Sequence, residues 1–253
     1  MRFLLSRRWV MFAVTVALLG WLAVRLGEWQ FHRLDERKHS NAVVSRNLDA
    51  EPVPLADVMS TEKAPGADDE WRRVRVTGTW DDERTIVLKY QTRDQSAGIE
   101  LVTPLVTGSG AGVLVDRGWV LASNNVVRPE LPAATSGEVT VTGWVRRDAT
   151  GDATRISEMA TRAISSRTAA AEVSYPLYRG FIDLDEQDPA AATKLQAAEL
   201  PDHTGNGPHF FYGLQWWFFG ALAVFGFFYL AFDEWRQKRR PKRVVQASAH
   251  PEQ

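Results

Sequence analysis

The order of apolar and polar positions divides the chain into three parts. Trp9 to Val24 is a run of apolar or small residues interrupted only by Thr15, followed by Arg25 and Leu26. Phe210 to Phe232 carries no formal charge, and Gln215 is its one strongly polar member. A helix needs about 20 predominantly apolar residues to cross a bilayer. The second run clears that length. The first reaches it if the long side chain of Arg25 snorkels to the interface. Each therefore predicts a transmembrane helix. Between them the period changes to two. In Arg73–Trp80, Val74, Val76 and Trp80 share one face, opposite Arg73, Arg75, Thr77 and Thr79. In Glu138–Val145, Val139, Val141 and Val145 lie opposite Glu138, Thr140, Thr142 and Trp144. Ile86–Leu88 and Val113–Val115 are short apolar runs among turn formers such as Gly108, Gly110 and Gly112, and Gly180–Leu184 is a further candidate strand. Together they predict an antiparallel, barrel-like sheet.

Helix is expected at the edges of this middle part. Gly27–Val44 continues the first span as a polar amphipathic helix. Asp188–Leu200 is Ala-rich with Pro189 in its first turn, which suits a short helix. Ala149–Ala171 has weak periodicity and reads as a loop or mobile insertion. Gly205, Asn206, Gly207 and Pro208 break the chain before the second span, and the tail from Arg239 reads as disordered. The expected fold class is thus a membrane protein whose two transmembrane α-helices flank an extracytoplasmic β-rich (α+β) domain. Its expected parts are a cytoplasmic N-terminus (1–8), a first span (9–26), the extracytoplasmic domain (27–208), a second span (209–232) and a basic cytoplasmic tail (233–253).

Charge adds an orientation. Arg2, Arg7 and Arg8 precede the first span. Arg236, Lys238, Arg239, Arg240, Lys242 and Arg243 follow the second. The positive-inside rule places both termini in the cytoplasm, and the expected location is the plasma membrane. Residues 28–208 hold 28 acids against 20 bases, as suits a translocated domain. Two other readings stand beside this one. The first run has the n- and h-regions of a signal peptide, although Arg25, Leu26, Gly27, Glu28 and Trp29 offer no small-x-small cleavage site. The second could be a buried core helix, although Trp216, Trp217 and Trp235 flank it like interface anchors. The overall net charge of −1 argues against bulk nucleic-acid binding.

Composition then removes several chemistries. The chain has no cysteine, which excludes disulfides, thiolate metal sites and a thiol nucleophile. The five histidines, His32, His39, His203, His209 and His250, show no zinc-ligand spacing. No nucleophile elbow, phosphate-binding loop or dinucleotide fingerprint is present, so an enzyme is not expected. Without cysteine or a methionine cluster, a soft-ligand copper carrier is disfavoured. His209 stands apart because it opens the second span. At about 100° per residue, Tyr212 and Trp216 share its helix face with Gly213 and Gly220. Small residues there admit a second helix or a flat ligand. Spacing leaves two readings, an interfacial histidine in an aromatic belt or an axial haem ligand. Gly27, Trp29, Gln30 and Arg33 form a second concentration just after the first span. Trp29 can be an interface anchor, and Arg33 can bind lipid phosphate, a haem propionate or an acid on a partner.

Three stretches carry a resemblance. Leu26-Gly27-Glu28-Trp29-Gln30-Phe31-His32-Arg33-Leu34 is similar to the L-G-x-W-Q-x-x-R signature of the surfeit-locus-one (Shy-type) family. Val115-Asp116-Arg117-Gly118-Trp119-Val120 resembles its central V-x-R-G-W-V strand. His209-Phe210-Phe211-Tyr212-Gly213-Leu214-Gln215-Trp216-Trp217 resembles its closing H-x-x-Y-x-x-Q-W. Order, spacing and the two-span layout agree over nearly the whole chain, although the family usually has Ala at the position of Gly213, and Ala149–Ala171 and the tail match nothing in it. The resemblance implies an assembly factor, a chaperone of the respiratory chain, that serves haem–copper cytochrome c oxidase. It implies transient binding of haem a and help in placing it in the catalytic subunit. Expected partners are that subunit, the enzymes that make haem a and the lipid bilayer. His209 would be the haem-iron ligand. Tyr212, Gln215 and Trp216 would shape the pocket, and Trp29, Gln30 and Arg33 would close it from the other span. A cofactor-free scaffold that stabilises an oxidase assembly intermediate is the alternative. Arg117 and Trp119 read as a core strand with a structural Arg, or as part of a contact surface.

Overall fold

The computed structural model describes residues 2–122 and 131–239 of the 253-residue chain, so the expected disorder of the tail, with Arg240, Lys242 and Arg243, lies outside the described residues. In chain order the elements are α1 (Arg7–Leu48), β1 (Val53–Pro54), α2 (Leu55–Val58), β2 (Arg73–Trp80), β3 (Ile86–Arg93), β4 (Ser96–Thr107), β5 (Gly112–Leu121), β6 (Glu138–Arg146), β7 (Ala160–Thr161), α3 (Ser166–Ala169), β8 (Leu177–Asp188) and α4 (His209–Arg239). They fall into two compact units. Met1–Lys38 and Gly205–Gln253 form a helical unit, and His39–Thr204 forms a sheet unit.

In the helical unit, α1 and α4 are each long and apolar enough to cross a membrane. They meet along a seam. On α1 the sheltered positions Trp9, Ala13, Val16, Gly20, Ala23, Gly27, Gln30 and Leu34 alternate steps of four and three. On α4, His209, Gly213, Trp216, Gly220, Ala223 and Phe227 do the same. A repeat of seven residues is the period of helices that wrap around each other with a left-handed twist. Small residues in the seam let the backbones approach closely. A Cβ added to Gly220 would lie 3.1 Å from Cβ of Ala23. The pairs run in opposite order along the two helices, so the helices are antiparallel. At one end Trp9 Nε1 donates to Glu234 Oε2 at 2.8 Å, and the rings of Phe12 and Phe227 lie 5.4 Å apart. At the other end Gln30 meets His209, and Arg37 Nε donates to the Gly205 carbonyl at 3.3 Å. Trp9 and Gln30 are roughly 32 Å apart along α1 at 1.5 Å per residue, which matches a hydrocarbon core of about 30 Å.

The sheet unit is a mixed α+β domain. Its eight strands run in the order β1-β2-β6-β8-β5-β4-β3-β7, and β2 also pairs with β4 over Gly78–Trp80. The antiparallel sheet expected from the pattern is thus corrected to a mixed sheet, because β5–β8, β1–β2 and β3–β7 pair in parallel. Residues of β2 alternate buried and exposed as the pattern predicts. The main core packs Val74, Val76, Val113, Val115, Val141 and Ile182 between the strands. Glu138–Val145 forms a strand as expected, but Thr142 and Trp144 on its polar face are buried too. Trp144 packs with Trp71 against Val44 and Leu48 in the last turns of α1. Asn47 fixes that end by donating to the carbonyls of Asp68 and Glu70 at 2.7 and 2.8 Å.

Two further expectations change. Asp188–Leu200 is not helical beyond the end of β8. The backbone of Gln196 instead pairs in both directions with Trp119, at 2.7 and 3.0 Å, and Arg93 donates to the carbonyls of Gln196 and Ala197 at 3.3 and 2.5 Å. Hydrogen bonds to the sheet thereby override the local helical preference of alanine. Gly118 makes this strap possible: it has φ +122°, and a Cβ there would meet the Gln196 carbonyl at 2.5 Å. Ala149–Ala171 lacks long elements, as expected, but it is no loose insertion. Ile164 and Ala169 are buried against Ile86, Leu114 and Phe181.

Candidate functional site at one end of the helix pair

His209 opens α4, just after Gly207 and Pro208. Its Nδ1 lies 2.9 Å from Oε1 of Gln30 on α1. An amide oxygen only accepts, so the imidazole donates from Nδ1. A neutral imidazole holding its proton there leaves Nε2 with a bare lone pair. No described residue hydrogen-bonds to that Nε2. Gly207 adjoins it: a Cβ there would lie 3.4 Å from Nε2, and the residue has φ +66°. Glycine both adopts that backbone and leaves the nitrogen uncovered.

Interlocked aromatics hold the two helices in register below this pair. A Cβ on Gly27 would meet the Trp217 indole at 2.2 Å, and one on Gly213 would meet the Phe31 ring at 2.9 Å. The rings of Phe31 and Trp217 lie 4.9 Å apart, and Phe31 meets Phe210 edge-on at 6.2 Å. Each aromatic thus fills a notch made by a glycine on the opposite helix. Of the residues expected from sequence, the structure brings His209 and Gln30 together. Trp216 is half-buried on the seam and touches Phe219 edge-on at 6.2 Å. Tyr212 and Gln215 are exposed beside it. Trp29 and Arg33 sit on the outward side of α1. The Arg33 guanidinium lies 5.8 Å from the Trp29 ring centroid and 2.9 Å from Glu36. Sequence reasoning missed Phe31 and Trp217. The signal that could find them is the seven-residue seam, since each lies one residue beyond a seam position, facing a glycine.

The sheet unit holds a second polar group of residues. Glu100, Asp116 and Asp183 line a cavity of about 380 Å³ with Arg93 and Arg146. Arg93 pairs with Glu100 at 2.7 Å; Arg146 pairs with Asp183 at 2.6 Å and Glu70 at 2.9 Å. Burial, then the negative charges of Glu100 and Asp183, push the Asp116 carboxyl well above the usual carboxylate range. Burial also raises Asp183 to about 6, outweighing its contact with Arg146. Each arginine already has a carboxylate, so the group reads as an internal network able to hold a proton. Arg117 is buried, donates to the carbonyls of Pro132 and Ala133 at 3.2 and 3.1 Å, and lies 3.3 Å from Asp82. It is a structural arginine of the strand. Trp119 donates from Nε1 to the Gln91 carbonyl at 3.1 Å. Among the described residues no group of His, Cys, Asp or Glu could hold a metal ion through three or more ligands.

The sequence model of the SURF1 family matches residues 17–221. The chain belongs to the SURF1 family. An uncharacterised SURF1-like protein of Mycobacterium tuberculosis is 29% identical over 246 residues, covering 95% of this chain and 89% of that protein. A SURF1-like protein of Rickettsia bellii is 33% identical over 109 residues, 42% of either chain. Surfeit locus protein 1 of Arabidopsis thaliana is 32% identical over 113 residues, covering 41% of this chain and 32% of its own. The SURF1 family is known for the assembly of cytochrome c oxidase and is a family of assembly factors, not of enzymes. The matched region takes in most of α1, all eight strands and the first turns of α4, so both polar partners at the end of the helix pair lie inside it.

Proposed function

We propose that this SURF1-family chain is a plasma-membrane assembly factor that takes haem a at the His209 end of its helix pair and assists its insertion into the oxidase catalytic subunit. The observation that carries the reading is the imidazole of His209, with Nδ1 engaged by Gln30 and Nε2 open beside a glycine. Imidazole nitrogen is the usual axial ligand of haem iron. His209 would hold the iron through Nε2, and Trp216 would offer an aromatic edge to the porphyrin. The bound group supplies no chemistry in this role, because it is cargo. One histidine from a half-open site also suits a carrier that must release its load. Charge supports an arrangement with both termini in the cytoplasm: Arg7 and Arg8 lie at one end of the pair with Arg236, Lys238 and Arg239. The His209 end then faces outward.

Co-expression with the enzymes that make haem a, followed by absorption spectroscopy of the purified protein, tests the reading. Wild type should carry haem a with moderate affinity and His209→Ala should carry little. Equal loading of the two proteins removes the ligand assignment. A scaffold reading has one observation of its own. Phe211, Phe218, Phe225 and Phe232 repeat every seven residues on the face of α4 turned away from α1, each more than half exposed. That period suits packing against another span. If the scaffold is the whole function, the oxidase catalytic subunit should co-purify equally well with wild type and His209→Ala.

A further inference from the structure

The geometry points to Gln30 as the positioning residue that selects which nitrogen of His209 is available to a metal. The inference rests on the haem-carrier reading above and deepens it. A neutral imidazole exists as two tautomers, and only the nitrogen without a proton can ligate. In water the choice is nearly free, but a fixed acceptor on one side removes it. Oε1 of Gln30 is such an acceptor, 2.9 Å from Nδ1. The choice matters because the two nitrogens have different surroundings. Nδ1 faces α1, where a flat ligand would collide with the helix. Nε2 faces Gly207, whose missing side chain leaves it accessible.

The acceptor is itself held in place. Gln30 is a seam position on α1, and its neighbours on either side are locked against α4. Gly27 receives the Trp217 indole, and Phe31 sits against Gly213. A rotation of α1 that carries Gln30 away from α4 would therefore unseat two aromatic rings. Hydrogen-bonding the far nitrogen of a metal-ligating histidine also makes the near nitrogen a stronger donor, and loss of such a partner typically costs about 10- to 100-fold in metal affinity. Gln30 thus acts on cargo through His209 and need not touch it.

The test uses the full-length protein in lipid nanodiscs, with nitrogen-15 NMR of the His209 ring in the absence of haem. Wild type should show one tautomer, protonated at Nδ1. Gln30→Leu keeps the side-chain bulk but has no acceptor, and the Nε2-protonated form should appear. Gln30→Glu still offers an oxygen and should restore the wild-type tautomer. Circular dichroism of each variant controls for folding. Titration with haem a should then show affinity reduced about 10- to 100-fold in Gln30→Leu and retained in Gln30→Glu. The iron reduction potential should rise in Gln30→Leu, because a weaker donor stabilises the ferric state less. An unchanged tautomer in Gln30→Leu, or wild type protonated at Nε2, overturns the inference. Wild type with the Nδ1 tautomer that binds no haem a overturns the carrier reading instead, so the two failures are distinguishable.

Discussion

Asp116 is nearly fully buried on β5, and its Oδ1 accepts the Gly118 N–H at 2.9 Å. Its folded carboxyl binds a proton more tightly than an unfolded aspartate, as does that of Asp183, raised from 3.8 to about 6. For an acid shifted upward, the folded state is favoured most below the unfolded value. That contribution is lost as pH rises through the folded value. Stability of the sheet unit should therefore decline as pH increases through about 6, by this route. Asp116→Asn keeps the oxygen for Gly118 and never ionises, so its decline with pH should be shallower than that of wild type. Asp116→Ala leaves a buried N–H without its partner and should cost about 1–3 kcal/mol at every pH. Thermal unfolding of the full chain from pH 5 to 9 checks both; parallel slopes for wild type and Asp116→Asn would sink the assignment. Sequence reading did not find this group, since its charges come from five strands and the loop before β2. No spacing brings them together. His209 and Gln30 were easier, because each stands beside a span where polar residues are costly.

Among the elements, α1 and α4 depend on notches that only glycine provides. Gly27→Leu should push the helices apart, since a Cβ already meets the Trp217 indole at 2.2 Å. Gly20→Ala should be tolerated, because nothing lies within 4 Å of a Cβ there. The chain has no cysteine, so an Ala23→Cys, Gly220→Cys pair is a background-free reporter. The built Cβ separation of 3.1 Å is a few tenths of an ångström under the 3.5–4.5 Å of a disulfide, so a slight parting admits the bond and a larger one prevents it. Oxidation should cross-link this pair fully, and adding Gly27→Leu should cut the yield several-fold; equal yields would mean that the notch does not set the packing. Other elements differed in how far the pattern revealed them. The two apolar helices were legible as nearly unbroken apolar runs, and β2 by its one buried face. The long strand β4 escaped notice because most of it is buried on both faces, which erases period two. The strap around Gln196 escaped because a bond to a distant strand decides its shape.

On the scale of the whole molecule, a near-zero net charge conceals an unequal distribution. Acids prevail in residues 28–208, and bases flank the two apolar helices. If that asymmetry orients the protein, a cysteine placed at Ser109 should react with a membrane-impermeant maleimide added to intact cells. One placed at Lys238 should react only after lysis. Labelling of Lys238→Cys in intact cells would reverse the orientation. The contact between Arg37 and the Gly205 carbonyl has a further consequence. The side chain of Arg37, where the chain leaves the helical unit, thereby bridges to the backbone of Gly205, where it re-enters, at 3.3 Å. Topologically, the whole of residues 39–204 is then an insert between the two helices of a hairpin, with its two stems bridged by the Arg37 side chain. Such an insert can be excised and the gap closed by a few flexible residues, and the closure entropy rises only slowly with linker length. Both Gln30 and His209 would remain in that minimal hairpin, where the hydrogen bond between them can be studied by itself.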